Sequence, residues 1–462
     1  MKGVVRHVST VRNWIEPGTV RAGLVVWGVV LVLAVIIGLS TKLDERGNTK
    51  SSVTDNYRTA ATAWVQSRTM YAEGAGADGW LYPPQGAVLF VPMLGLPRAV
   101  GEAVWRGAWV VLMGYAAWRL SRVVNRSVLT PSGEDEAGRW SWMGEGLWSK
   151  GVARWQSDER NGEAAAREGG GGAVDVFFVL SLLLVIACEG SIRNGQTNMP
   201  LGAAMVLAFV AAAERRWWGV VAWCVFGLMC KPVMIVAGLL LLGMWPMKLW
   251  WRMLAGAAVF AVLPFAMHTD WAFVLSECKA GISKIQQAAA FDGRAFADLR
   301  NVVNTLGIPV SLEQFAPVRL LAAVVTAGLC FWGVRRYGTL RGALVGLALC
   351  SAYAVLFNPR TEGNSYCIAA PAVAAWLAGA MVFQRSLWVR GLLLSICVTF
   401  AIGHVFSSVV MGRSGDVFFR PLAAGVFFVL VAWDVVFAGV FTAKGTTHPG
   451  GVGYAGAVKG GG

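Results

Sequence analysis

Asp55 lies in the run Thr54-Asp55-Asn56-Tyr57-Arg58, in the first hydrophilic stretch after the first hydrophobic segment. Leu81-Tyr82-Pro83-Pro84 then opens a second apolar run. A carboxylate can move a proton and nearby cations can hold an anion. An acid with aromatic and cationic neighbours, followed by Tyr-Pro-Pro beside a membrane, has the make-up of an active-site loop. More polar groups interrupt the apolar runs further on. They are Arg193-Asn194-Gly195-Gln196-Thr197-Asn198, Lys231-Pro232, Asp298-Leu299-Arg300-Asn301, and Asn358-Pro359-Arg360-Thr361-Glu362-Gly363-Asn364-Ser365-Tyr366. Each has a plainer reading when taken alone. Asp55 could be a solvated loop acid, and Lys231 a lysine reaching for the headgroups. Gln196 and Asn198 could close a helical turn. Arg360 and Glu362 could form a rim ion pair of little worth, and Arg193 could be an interfacial anchor.

The elements that must position these groups are set by composition. The chain has 462 residues, of which 56% are hydrophobic and 14% charged. Soluble domains carry about 25% charged residues. Apolar runs recur from Val20 to Ala443, so the fold class is an all-α polytopic membrane protein. The 22 Trp suit such a chain, because indoles favour the headgroup zone. The net charge of +14 is no nucleic-acid signal. The basic residues fall in short clusters between apolar runs, the pattern that marks cytoplasmic ends. The 8 Cys form no CxxC pair, and several (Cys224, Cys230, Cys330, Cys350, Cys397) lie inside apolar runs as small buried hydrophobes. With only 4 His, two of them in the tails (His7 and His448), no residue set calls for a metal or other cofactor.

Laid across a bilayer, the chain reads as a cytoplasmic tail at 1–20, a transmembrane domain at 21–443 and a Gly-rich cytoplasmic tail at 444–462. The first apolar run is expected to be a retained anchor with no cleavage site after it. Residues 41–101 form an extracytoplasmic first loop. Within it 85–97 is too short and too Pro-rich to span, so a re-entrant or interfacial helix is expected. The second span covers 102–120. Residues 127–172 are a polar, partly disordered insertion on the cytoplasmic side. Further spans are expected at 173–192, 199–213, 217–230, 233–247, 253–268, 318–334, 342–357, 366–383, 391–409 and 419–441. A second extracytoplasmic loop lies at 269–317. The total is about 12 spans in a plasma membrane of bacterial type, with both termini cytoplasmic. This layout uses only apolar length and Lys/Arg clusters, yet it puts every polar run named above on one face. Charged groups at membrane depth are costly and usually functional, so one shared external site is the economical reading.

Asp55-Asn56-Tyr57, Tyr82-Pro83-Pro84 with its short apolar helix, Gly195-Gln196-Thr197-Asn198, Lys231-Pro232 and the 358–366 turn occur in the order found in glycosyltransferase family 87. The resemblance runs over about 20–385, apart from the insertion at 127–172. It implies a GT-C-type helical bundle that uses a polyprenyl-phosphate sugar donor, most characteristically mannose. The 358–366 turn departs from the family pattern in having no His and no Trp, with Glu362 and Tyr366 aligning best to the family's acid and terminal Tyr.

The resemblance implies that Asp55 is a general base. A sugar on a lipid phosphate has a leaving group that needs no protonation, so one carboxylate can suffice where glycoside hydrolases need two. Lys231, with Arg300 or Arg360, would hold the phosphate. Tyr57, Arg58, Tyr82, Gln196, Asn198, Glu362, Asn364 and Tyr366 would line the pocket for the sugar and a lipid or glycan acceptor. The competing class is a transporter or flippase for a lipid-linked or anionic solute, using Arg193, Lys231 and Glu362 as a path. The hydrophobic pattern shows no internal repeat of the kind many transporters have. An inactive envelope scaffold is the third reading, marked by donor binding without turnover.

Overall fold

Backbone groups in an apolar solvent must be hydrogen-bonded within the segment, and the helix does this. The computed structural model describes residues 17–40, 53–71, 80–129, 176–290, 296–382, 385–410 and 418–438. Among these residues the regular structure is helical, with no strand. In chain order the helices are α1 (Pro17–Leu39), α2 (Thr54–Val65), α3 (Pro84–Leu94), α4 (Arg98–Leu129), α5 (Val176–Asn194) and α6 (Asn198–Ala213). Then come α7 (Trp217–Cys230), α8 (Met234–Met244), α9 (Pro246–Ala266), α10 (Trp271–Ala290), α11 (Leu299–Thr305) and α12 (Leu312–Phe357). A 3-10 helix (Gly363–Ile368) leads into α13 (Ala370–Val382), α14 (Leu387–Val410) and α15 (Phe419–Trp433). Five helical segments among the described residues are long and apolar enough to cross a membrane: Arg21–Leu39, Val176–Asn194, Pro246–Ala266, Leu312–Phe357 and Phe419–Phe437. The chain is thus built as a polytopic helical membrane protein. Residues 1–16 of the N-terminal tail, the C-terminal tail, most of the expected insertion at 127–172, and residues 41–52 and 72–79 of the first loop lie outside the described residues.

The short helix expected at 85–97 forms over Pro84–Leu94, and two pairs of expected spans take a different form. The segment at 85–97 is α3, opened by Pro84 at its first position, where proline's missing N–H costs nothing. The stretch 233–268 breaks at Trp245 into short α8 and longer α9, not at the expected 248–252. The spans expected at 318–334 and 342–357 are two arms of α12, which folds back at Gly338 (φ 74°). A side chain at Gly338 would be strained in that conformation. The arms approach closely: a Cβ on Gly342 would stand 2.7 Å from the Val334 Cα.

α6 is the hub. Its residues from Asn198 to Ala212 are buried, and it packs against α4, α7 and α12. Its many small side chains allow close contact, as small residues do between membrane helices. α1 packs on α4 and α5, and α13 on α5 and α14.

A second, separate core joins α2, α3 and α10 through Tyr57, Trp64, Tyr71, Trp80, Phe90 and Val274. The two stretches expected as external loops, 41–101 and 269–317, therefore hold helices that pack on each other. The Met70 N–H donates to Glu277 Oε2 at 2.9 Å, and Ser67 Oγ lies 3.1 Å from His268 Nε2. α10 buries Val274, Glu277, Gly281, Lys284 and Ala288, a helical stripe that a search for spans passes over.

The arginine clusters meet at the other end of the bundle. Glu214 pairs with Arg119 and with Arg216 (3.1 Å). Arg341 donates to the Ser127 carbonyl at 3.0 Å, Arg336 to that of Val436 at 2.6 Å, and Arg385 pairs with Asp434 at 3.5 Å.

Candidate active site

Thr54 opens α2, and Asp55 sits in its first turn, where the helix dipole favours a negative charge. The Asp55 carboxylate is ion-paired with Arg98, the first residue of α4. Tyr57 points inward and is 2% exposed. Its ring packs on Trp80, Phe90 and Trp105. Its hydroxyl lies 3.3 Å from that of Tyr82 and accepts the Thr197 N–H at 3.3 Å. Burial, with Tyr82 beside it, holds the Tyr57 phenol well above its usual range, so it stays protonated. Tyr82 is half-buried, and its carbonyl is fixed by the Tyr71 hydroxyl at 2.6 Å. Arg58 lies over the Phe90 ring and reaches the Met93 carbonyl at 3.5 Å, so it braces α3.

The turn between α5 and α6 faces this cluster. Gly195 has φ +65°, and a Cβ there would meet Thr54 Cγ2 at 2.6 Å, so both conformation and space call for glycine. Gln196 Nε2 donates to Glu362 Oε2 at 2.9 Å, and Asn198 Nδ2 donates to Gln196 Oε1 at 2.9 Å. Asn198 is fully buried, and its Oδ1 has no hydrogen-bond partner among the described residues. Glu362 precedes the 3-10 helix, whose Asn364 carbonyl accepts from Ser191 Oγ at 3.1 Å. The Asn364 side chain packs against Gly190, where no Cβ intervenes. Tyr366 was expected in the pocket lining but is 1% exposed and donates to the Ala297 carbonyl at 2.9 Å. It acts as a strut between the 3-10 helix and the α10–α12 connection.

The cations divide into two sets. Lys231 ends α7 in extended backbone (φ −157°, ψ 142°), held there by the Pro that follows. It is half-buried, and among the described residues its ammonium makes no hydrogen bond and no ion pair. It lies within electrostatic reach of the Cys367 thiol, which is 3.4 Å from Ser191 Oγ. A Cβ on Gly86 of α3 would stand 2.7 Å from the Met229 carbonyl and 3.2 Å from Tyr82 Cβ. The end of α7 therefore abuts the Tyr-Pro-Pro entrance. Arg300 and Arg360, grouped with Lys231 from the sequence, reach carbonyls of the α10–α12 side. Arg300 contacts Val310 and Arg360 contacts Ala288, both at 3.4 Å, and Arg360 also lies over the Phe296 ring. Asp298 caps α11 by accepting the Asn301 N–H at 2.9 Å, and burial pushes its carboxyl up to about 6.

Asp55, Tyr57, Tyr82, Gln196, Asn198, Lys231, Glu362 and Asn364 thus come from elements in mutual contact at one end of the bundle. Arg193 stays outside the cluster, its side chain 61% exposed and 3.8 Å from Glu189. Sequence reasoning missed Arg98, Thr197 and Arg420. Arg420 of α15 crowds Gly363, where a Cβ would lie 2.7 Å from its Nη1. Arg98 carried a readable signal, a cation just after Leu96-Pro97 at the head of an apolar run. Arg420 is distant in sequence and carried none.

Residues 80–359 match the family model of glycosyltransferase family 87, more than half of the chain. The matched stretch includes Tyr82, Gln196, Asn198 and Lys231, begins after Asp55 and ends before Glu362. No curated protein matches the chain.

Proposed function

The chain belongs to glycosyltransferase family 87, and from that premise we propose that it moves a hexose, mannose first among candidates, from a polyprenyl-phosphate donor to a lipid or glycan acceptor at the extracytoplasmic face. As a glycosyltransferase it has a sugar donor and an acceptor. The observation that carries the choice of donor is Lys231. An ammonium without an anionic partner among the described residues, at the end of a broken helix beside the polar cluster, suits a phosphate.

In the proposed step the acceptor hydroxyl oxygen bonds to the anomeric carbon as the carbon–oxygen bond to the phosphate breaks. The hydroxyl proton passes to Asp55, and the bonding pair leaves with the lipid phosphate. Attack opposite the phosphate inverts the anomeric centre. Arg98 orients the carboxylate, and Lys231 balances the charge that grows on the leaving oxygen. Gln196, Glu362 and Asn364 offer donors and acceptors for sugar hydroxyls. Lys231 supplies the positive charge at the leaving oxygen, and the proposed step includes no metal.

The test uses the full chain in detergent, polyprenyl-phosphate mannose, and a lipid extract of the producing cells as acceptor. Transfer should release polyprenyl phosphate one-for-one with product and persist in EDTA. Asp55→Asn should lower the rate by at least about a hundredfold, the scale of lost general-base catalysis. Equal rates for Asp55→Asn and the parent would remove Asp55 from the chemistry.

A further inference from the structure

α4 carries one polar stripe in its first turns. Arg98, Glu102, Trp105 and Arg106 recur at helical spacing and share a face. Each of them holds a piece of the cluster. Arg98 pairs with Asp55, and Glu102 accepts from Thr54 Oγ1. Arg106 pairs with Glu102, and both side chains are 1% exposed. Arg106 also donates from Nε to the Ile192 carbonyl at 3.0 Å and from Nη2 to that of Arg193 at 3.2 Å. Trp105 Nε1 donates to the Gly195 carbonyl at 3.0 Å. From the α2 side, the Val53 N–H donates to the Asn194 carbonyl at 3.1 Å. The last carbonyls of a helix have no partner within it. Here the last three carbonyls of α5, from Ile192 to Asn194, and that of Gly195 just beyond it are bound from α4 or from Val53 before α2.

We propose that this stripe is a positioning device, in which the Thr54–Glu102–Arg106 chain fixes Asp55 against the Gln196-Thr197-Asn198 turn, making Thr54 and Glu102 positioning residues for the transfer step. The inference rests on the reading of Asp55 as base. The physical case is geometric. Thr54 is the residue before Asp55, its methyl group abuts Gly195, and its hydroxyl ends on a buried charge pair. Two bonded anchors, one on α4 and one on α5, leave the first turn of α2 little freedom to rotate. A displacement of about 1 Å at a reacting group can cost on the order of a hundredfold in rate. A clamp that only stabilised the fold would change the amount of folded protein and leave the turnover of each folded molecule intact.

The experiment compares Thr54→Val, Thr54→Ser, Trp105→Phe and Asp55→Asn with the parent full-length protein. It uses polyprenyl-phosphate mannose and the same lipid extract, with melting temperature and hydrogen exchange of residues 53–58 and 194–198 measured alongside. Thr54→Val should lower kcat by roughly ten- to a hundredfold with donor KM within about twofold of the parent. Thr54→Ser, which keeps the hydroxyl, should restore kcat. Exchange should quicken at both segments in Thr54→Val while the melting temperature holds. Trp105→Phe keeps an aromatic side chain, smaller than indole, and loses the bond to Gly195, so it should give the same split if Thr54→Val fails to fold. Parent-like kcat in both Thr54→Val and Trp105→Phe, with Asp55→Asn inactive, overturns this inference alone. An active Asp55→Asn overturns the base assignment instead, and unchanged exchange in Thr54→Val then overturns the clamp.

Discussion

A half-buried ammonium needs water or an anion around it, because a charge taken out of water without a partner is costly. Lys231 is in that position at the end of α7. Loss of a charge-assisted hydrogen bond costs about 1.5–3 kcal/mol, so Lys231→Gln should raise the donor KM by roughly ten- to a hundredfold. Lys231→Arg should recover part of it, since a planar fork replaces a point charge on a different stem. Donor KM measured for the two variants decides this, and equal KM in all three proteins would remove Lys231 from the phosphate site. Tyr57 and Tyr366 show why residue type alone misleads. Both are buried tyrosines in polar helical segments, yet Tyr57 shares its hydroxyl with half-buried Tyr82 while Tyr366 spends its own on the Ala297 carbonyl.

At the scale of elements, α11 depends on a titrating cap. Asp298 accepts the Asn301 N–H and side-chain amide, and Arg300 lies close, all of which favour its charged form. Burial outweighs them and raises the carboxyl from 3.8 to about 6. A raised carboxyl binds its proton more tightly in the fold than in the unfolded chain. Its stabilising contribution is thus complete below 3.8 and is lost as pH rises to about 6. Hydrogen exchange over 298–311, corrected for intrinsic rate, should accordingly show looser packing at pH 7 than at pH 4. Asp298→Asn keeps an acceptor for the cap and removes the titration, so its protection should not change with pH. Tyr366 ties this connection to the 3-10 helix, so loosening there would reach Glu362 and Asn364.

Over the whole molecule, polarity separates the two ends. One end gathers Asp55, Tyr82, the 194–198 turn, Lys231 and the 358–366 turn. The other gathers Arg119, Glu214, Arg216, Arg341, Arg385 and Asp434 in ion pairs and carbonyl contacts. The arginine-rich end should face the cytoplasm, as positive clusters do. In a Cys278→Ser background, Thr59→Cys on α2 should react with a membrane-impermeant maleimide in intact cells. Ser386→Cys, exposed at the arginine end, should react only after permeabilisation. The reverse pattern would invert the orientation and move the site to the cytoplasmic face.

Much of this was legible in the sequence because it is local. Apolar length marks membrane helices, and Lys/Arg clusters mark the end of the bundle where the arginines meet, without knowledge of what packs on what. The positions of Asp55, Lys231, Gln196 and Glu362 between apolar runs placed them on one face for the same reason. The ordered set of motifs gave the family to which the chain belongs. What the sequence did not settle depends on contacts between distant segments. A hydrophobic count passes over amphipathic α2 and α10, whose apolar faces find each other only in three dimensions. The return of α12 at Gly338 hangs on one backbone angle. The pairing of Arg98 with Asp55, and the chain from Thr54 through Glu102 and Arg106 to the end of α5, join residues whose partners no spacing reveals. A charged group inside an apolar helix announces its cost in the sequence, and only the tertiary structure names the group that offsets it.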